Sequence, residues 1–167
     1  MQIHNNGKSA INSDGISAWV NTNQVTRFFY FFSKLEHALK RNEFLIKNQA
    51  DAKADWDTFA DKLGNEFFQK IKAEHDIQIL FKVPPRKQIN NAGTLDWKDE
   101  ASPQNVKDLF VALRRVRNNL FHGGKYPYAP VEEPSRNDKL LRACLFVMES
   151  VINENTNIRA TFNEPAE

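Results

Sequence analysis

One stretch of the chain combines residues that could hold a phosphate with residues that could move a proton. Residues 102–125 read S-P-Q-N-V-K-D-L-F-V-A-L-R-R-V-R-N-N-L-F-H-G-G-K, with Arg117 and His122 five positions apart. A guanidinium donates paired hydrogen bonds to a phosphate, and an imidazole exchanges a proton near neutral pH. Asn118 lies four residues before His122, so on a helix its side chain can reach the imidazole. Arg117, Asn118 and His122 are therefore the candidate catalytic residues.

The same stretch predicts one helix that positions these side chains. Ser102 is a typical N-cap and Pro103 suits the first helical turn, while Gly123 and Gly124 favour a helix end. Arg117 falls on the apolar face, where an unpaired guanidinium is costly, so we expect a carboxylate, a phosphate or a wet cleft beside it. The apolar residues recur at helical spacing: Val106, Leu109, Phe110, Leu113, Val116 and Leu120.

The segment Arg117-Asn118-Asn119-Leu120-Phe121-His122 resembles the Arg-polar-x3-His signature of the HEPN superfamily. In that family the signature ends the third helix of a small bundle. Many members are metal-independent endoribonucleases that act as dimers, with the Arg and His of both subunits in one composite cleft. Others serve in toxin–antitoxin or anti-phage systems. The resemblance thus implies a HEPN-like fold, an RNA substrate, a homodimer and a possible antitoxin or defence-system partner protein.

The resemblance also implies a reaction. Arg117 would hold the scissile phosphate, and His122 would transfer a proton. Asn118 would orient the imidazole. The expected products are a 2′,3′-cyclic phosphate and a 5′-OH, formed without a metal or another cofactor.

Two other interpretations remain open. The same fold could bind RNA or a nucleotide without cleaving it, or it could be a structural helical partner within a larger assembly. In the structural interpretation Arg117 forms a salt bridge and His122 is a surface residue beside the helix end. Arg115, separated from His122 by six residues, fits a looser form of the signature but is followed by the apolar Val116.

Positive charge is concentrated around the motif. The formal net charge of the chain is only +2, yet the span 107–125 contains five basic residues and one acidic residue. We expect Arg114, Arg115 and Lys125 to contact phosphates, and Tyr126 to stack on a base. A solvated helix face and a tyrosine packed on the bundle are the alternatives. Arg86 and Lys87, after two prolines, could also contact a nucleic-acid backbone.

Composition and periodicity indicate a single domain, 1–167, of all-α class. Hydrophobic residues make up 41% of the 167 positions, with 13 Phe and only six Gly. Apolar periodicity predicts two helices before the motif helix and one after it, starting near Ser135. We expect an antiparallel HEPN-like bundle of four or five helices with one long loop before the motif helix. The remaining segments are a loose arm at 1–15, that loop at 73–101, in which 77–83 could form an extended segment, and a frayed polar tail at 156–167.

The first predicted helix, from about Ile16 to Leu45, carries an aromatic run that surrounds most of its circumference, F-F-Y-F-F at 28–32. A helix apolar on nearly all sides must be covered twice. A partner subunit, a neighbouring helix or the long loop could supply the second cover. Glu36, beside this run, is a candidate carboxylate for Arg117.

Nothing in the sequence indicates a membrane protein. No apolar run approaches the ~18 residues that a membrane helix needs, and the start of the chain is polar. The lone Cys144 cannot form an internal disulfide, and it falls on the apolar stripe of the last helix. We expect a soluble cytoplasmic protein with no membrane contact.

Overall fold

The computed structural model describes residues 22–122 and 134–165. The elements in chain order are α1 (Thr22–Arg41), α2 (Trp56–Lys72), a 3₁₀ turn (His75–Ile77), α3 (Gln78–Lys82), β1 (Lys87–Asn91), β2 (Thr94–Lys98), α4 (Val106–Phe121), α5 (Pro134–Glu154) and α6 (Thr156–Phe162). The described chain is therefore mostly helical, as predicted, but it also contains a two-stranded antiparallel sheet.

One apolar core joins the long helices. Helix α1 packs against α5 and α6, and α2 packs against α4. At the second contact Phe59 and Phe110 stack with ring centroids 6.0 Å apart, and Trp56 meets Phe110 edge-on at 5.1 Å. Cys144 of α5 lies in the core with no exposed surface, so its predicted packing role is confirmed. The predicted apolar stripe of α4 is also in this core.

Two elements of the same chain cover the outer side of the α1 aromatic run. Phe29 meets Phe121 at the end of α4 with ring centroids 4.7 Å apart, and Phe31 meets Phe162 of α6 at 5.2 Å. These contacts cover the second apolar side of α1, as its aromatic sequence requires. The helix ends at Arg41 rather than near residue 45, because the chain turns at Glu43, whose φ is +71°. None of the described helices has the length and apolarity needed to cross a membrane.

The expectation of a frayed tail at 156–167 is wrong for its first half. Helix α6 occupies Thr156–Phe162, and Asn155 caps it by accepting hydrogen bonds from two backbone amides of its first turn at 3.1 Å. Ile158 is fully buried and Phe162 is 9% exposed. Their spacing of four residues places both on the face that meets α1 and α5.

The expectation of a long loop at 73–101 is also wrong, because most of this segment has regular structure. Residues 77–83, expected to be extended, lie mainly in α3, since Ile77, Leu80 and Phe81 are buried at helical spacing. A two-residue turn connects β1 and β2, where Ala92 has φ +50° and Gly93 has φ +87°. Such positive φ values are what a two-residue hairpin turn requires.

Helix α4 begins at Val106, so the predicted cap at Ser102 is wrong. Asn105 is the N-cap, and its side chain accepts the Asp108 amide at 2.9 Å. The Asp108 carboxylate in turn accepts the Gln104 amide at 3.0 Å, which satisfies a second free donor. Gly123 and Gly124, the predicted helix end, lie outside the described residues. The last long helix begins at Pro134, next to the predicted Ser135.

The packing of α6 gives the first prediction. We expect Ile158→Ala to lower the free energy of unfolding by about 3 kcal/mol, because it removes a fully buried side chain between three helices. Urea denaturation measures this change. The adjacent exposed substitution Arg159→Ala is the control and should change stability by about 0.5 kcal/mol or less. Equal stability of the two variants would show that α6 does not contribute to the core.

Candidate active site

The C-terminal half of α4 and the start of β1 line an open cleft of about 630 Å³. Its lining includes four basic side chains and one imidazole, and no carboxylate is among the described lining residues. The structure thus brings five predicted site residues to one surface and adds Lys87 from β1. Such a surface concentrates anions. The charged and titratable lining residues are Lys87, Arg114, Arg115, Arg117 and His122, with Asn118 between the last two.

Two predicted RNA-binding residues, Lys125 and Tyr126, lie outside the described residues. The description stops at His122 and resumes at Pro134. The described part of the site therefore consists of the C-terminal half of α4 and the start of β1.

Arg117 lies at the rim of the core, with 31% of its side chain exposed. The predicted carboxylate is confirmed, because Glu36 Oε1 lies 3.9 Å from Arg117 Nη2. Trp56 Nε1 donates to the same Glu36 oxygen at 3.2 Å and so holds the carboxylate in place. The guanidinium lies over the ring of Phe32, 5.1 Å from its centroid, and donates from Nη1 to Asn118 Oδ1 at 2.9 Å.

These contacts leave Arg117 able to bind an anion. The separation of 3.9 Å from Glu36 exceeds hydrogen-bond length, so the carboxylate attracts the guanidinium without occupying a donor. Of the five N–H groups of an arginine, only one has a hydrogen-bond acceptor within the described residues. Glu36, Phe32 and Asn118 therefore hold Arg117 in position, and its remaining N–H groups are available to a ligand in the cleft.

The expected hydrogen bond from Asn118 to the His122 imidazole is wrong. The Asn118 side chain instead accepts from Arg117, and its backbone carbonyl accepts the His122 amide at 2.8 Å. His122 is exposed at the C-cap of α4, and no described side chain hydrogen-bonds to its imidazole. Asn118 thus positions Arg117, and the imidazole is free to meet a ligand.

Arg114 and Arg115 differ in their exposure and in the hydrogen bonds that they form within the fold. Arg115 is only 16% exposed, donates to Glu100 at 3.1 Å and contacts the Pro85 carbonyl at 3.5 Å. Arg114 is 35% exposed and lies 3.9 Å from Asp57, too far for a hydrogen bond. Its Nε is buried with no acceptor among the described residues. Arg115 therefore holds the fold together, and Arg114 is the better candidate for a phosphate.

Asn119 is a positioning residue that the sequence reasoning missed. It is buried, with 7% exposure, and its Nδ2 donates to the Arg86 carbonyl at 2.9 Å. Arg136 of α5 donates to the two carbonyls of residues 83 and 84. Together with the contact from Arg115, side chains of α4 and α5 hold four consecutive carbonyls, which places Lys87 at the cleft. The sequence did contain a signal for this role. Asn119 follows Asn118 on the inward side of the helix, and a buried amide must find a hydrogen-bond partner.

Comparison with known proteins adds no identification, since no protein-family model, curated protein or solved structure matches this chain. Within residues 22–122 and 134–165, no group of three or more His, Cys, Asp or Glu residues is placed to hold a metal ion.

The different surroundings of the arginines give the second prediction. We expect Arg117→Ala to lower the free energy of unfolding by about 1 kcal/mol or less, because both side chains of its ion pair are partly exposed and the pair is not hydrogen-bonded. Arg115→Ala should cost about 2–3 kcal/mol, because it leaves Glu100 and the Pro85 carbonyl without a donor. Chemical denaturation with the exposed Arg142→Ala as control measures both changes. A larger loss for Arg117→Ala would favour the structural interpretation of the motif.

Proposed function

We propose that the protein is a metal-independent endoribonuclease of the HEPN type. The observation that carries this proposal is that Arg117 and His122, selected from the sequence by type and spacing, line one open cleft that contains no carboxylate among its described residues. The position of the motif adds support, because α4 is the third of the four long helices within residues 22–122 and 134–165. A HEPN-like four-helix bundle is the corresponding proposal for the fold.

The chemistry follows from the two side chains. Arg117 donates two hydrogen bonds to the scissile phosphate and stabilises the extra negative charge of the pentavalent transition state. The 2′-oxygen of the RNA attacks phosphorus, and the bond to the 5′-oxygen breaks. His122 either takes the proton from the 2′-hydroxyl or gives one to the leaving 5′-oxygen. The products are a 2′,3′-cyclic phosphate and a 5′-OH.

Arg114 and Asn118 have supporting roles in this mechanism. Arg114 lines the same cleft and lies 3.9 Å from Asp57, too far to donate a hydrogen bond to it, so its guanidinium binds a neighbouring phosphate. Asn118 holds the guanidinium of Arg117 at the angle that its 2.9 Å hydrogen bond defines. Arg115 contributes its charge to the cleft while it anchors the start of β1.

A homodimer completes the proposed site. The reaction needs a base and an acid, and the described cleft of one chain contains one imidazole. A second copy would bring a second His122. Two exposed apolar side chains are placed for such contact: Val111 lines the cleft and is 38% exposed, and Phe121, next to His122, is 66% exposed.

The biological setting is proposed from the resemblance. An endoribonuclease of this kind acts on RNA in the cytoplasm and arrests growth unless it is controlled. A toxin or an anti-phage effector, with an antitoxin or activating protein as partner, is the setting in which such activity is useful.

A second candidate function is an RNA-binding or nucleotide-binding module that does not cleave. The lack of an orienting partner for the His122 imidazole among the described residues favours this candidate, because catalytic histidines are usually oriented by a second group. Tight RNA binding with no product, even at protein excess, would distinguish it from the nuclease.

The third prediction tests catalysis. In excess EDTA the purified protein should cleave single-stranded RNA and leave 2′,3′-cyclic phosphate ends, which mass spectrometry of the products identifies. We expect His122→Ala to lower the cleavage rate by at least about 100-fold, because it removes the proton-transfer group. A substrate with 2′-deoxyribose throughout should resist cleavage, since it lacks the nucleophile.

The matched control is His75→Ala, because His75 is fully exposed and does not line the cleft. It should cleave at the wild-type rate, which also excludes a contaminating nuclease as the cause of any difference. Equal cleavage by wild type and His122→Ala would refute the catalytic assignment.

A further inference from the structure

Glu36 places a negative charge close to the arginine of the proposed active site. Its Oε1 lies 3.9 Å from Arg117 Nη2, yet Arg117 lines the cleft and Glu36 does not. The side chains of Arg117 and Glu36 are 31% and 30% exposed, so both charges are partly shielded from water. A phosphate that Arg117 binds in the cleft is therefore repelled by Glu36 while it is attracted by the guanidinium.

The hydrogen bond that Glu36 accepts does not require its charge. Trp56 Nε1 donates to Glu36 Oε1 at 3.2 Å. Trp56 is only 3% exposed, so its indole N–H needs an acceptor, but the amide oxygen of a glutamine would serve equally well. Arg117 donates no hydrogen bond to the carboxylate across 3.9 Å. What the charge of Glu36 changes is the electrostatic potential around Arg117.

Two aromatic rings beside this ion pair strengthen the electrostatic effect. Phe32 is 3% exposed, and its ring centroid lies 5.1 Å from the guanidinium carbon of Arg117. The same ring packs against Trp56, with centroids 5.5 Å apart. The rings exclude water from one side of the pair, and a Coulomb energy rises as the dielectric constant falls. Across roughly 8 Å, and with the other side open to water, Glu36 should weaken the binding of one negative charge about threefold.

The size of this effect depends on the charge of the ligand. A phosphodiester inside an RNA chain carries one negative charge. A phosphate monoester carries nearly two at about pH 7.5, because its second pKa is about 6. The Coulomb energy is proportional to the ligand charge, so a threefold weakening for the diester becomes about ninefold for the monoester.

We propose that Glu36 is a specificity-determining residue that directs the cleft to internal phosphodiester linkages and away from 5′-terminal phosphates and free 5′-nucleotides. This inference rests on the proposed function. A lining of four basic side chains by itself favours the more highly charged ligand. A 5′-terminal phosphate offers no linkage to cleave, so its binding only blocks the cleft. Glu36 reduces that preference through the position it takes beside Arg117.

The test compares the wild type with Glu36→Gln, which keeps the acceptor for Trp56 and removes the charge. The probes are thymidine 5′-phosphate, a monoester, and its methyl diester, which share one nucleoside and differ by one charge. NMR titration at about pH 7.5 and about 0.1 M salt follows the His122 imidazole signal. We expect Glu36→Gln to tighten binding of the diester about threefold and of the monoester about ninefold.

The matched control is Glu66→Gln, which makes the same charge change at an exposed residue of α2 outside the cleft lining. Both dissociation constants should stay within about 1.5-fold of the wild type, because salt screens distant charges. Thermal unfolding midpoints of the two variants should lie within about 3 °C of the wild type, since a partly exposed ion pair contributes little stability. An equal gain for both probes, a loss of affinity in Glu36→Gln, or the same gain in the control overturns the inference.

Cleavage of RNA by the wild type in EDTA separates the two proposals. Tightening that increases with ligand charge, in a protein that does not cleave, overturns the catalytic proposal alone and supports an anion-binding cleft. Cleavage without such tightening overturns the inference about Glu36 alone. A wild type that neither cleaves RNA nor binds either probe contradicts both.

Discussion

Helix α4 must bury one apolar face while it carries three guanidinium groups in its second half, and a guanidinium that leaves water needs a carboxylate nearby. Three separate parts of the chain supply these carboxylates, so the packing of α1, α2 and the segment before α4 is tied to one helix. The pairs are Arg114–Asp57, Arg115–Glu100 and Arg117–Glu36. The Arg115–Glu100 pair, at 3.1 Å, is structural. The other two pairs, at 3.9 Å, leave guanidinium donors free.

This arrangement explains why the cleft is positive although the chain is nearly neutral. The carboxylates stand behind the arginines, and among the described residues none lines the cleft. Side chains of α4 and α5 also hold the backbone at 83–86, which brings the hairpin and Lys87 to the open side. Helix, hairpin and cleft are thus parts of one arrangement that presents positive charge to an anion.

The features that depend on local periodicity could be predicted from the sequence. The apolar stripe of α4, the burial of Cys144 and the need of Arg117 for a carboxylate or another anion all follow from helical spacing and the cost of burying charge. The partner of Asn118 could not be predicted in this way, because Arg117 and His122 are both within its reach. The cationic guanidinium makes the stronger hydrogen bond with an amide oxygen, and it is the partner in the structure.

Features that depend on distant contacts were mispredicted. Helix α6 has only two apolar anchors, Ile158 and Phe162, so its stability comes from α1 and α5 rather than from its own pattern. The strands β1 and β2 are five residues each and mostly polar, without a clear alternation of buried and exposed positions. Their place beside α4 is set by Asn119 and Arg115, which contact carbonyls about 30 residues earlier in the chain.

The central claim is that Arg117 and His122 act on one phosphate, and NMR titration with a short 2′-deoxy-substituted RNA tests it most directly. The Arg117 guanidinium and the His122 imidazole signals should both shift, with one shared dissociation constant, and Arg117→Ala should abolish the shift at His122. Shifts at only one of the two side chains, or with two different dissociation constants, would contradict a common site.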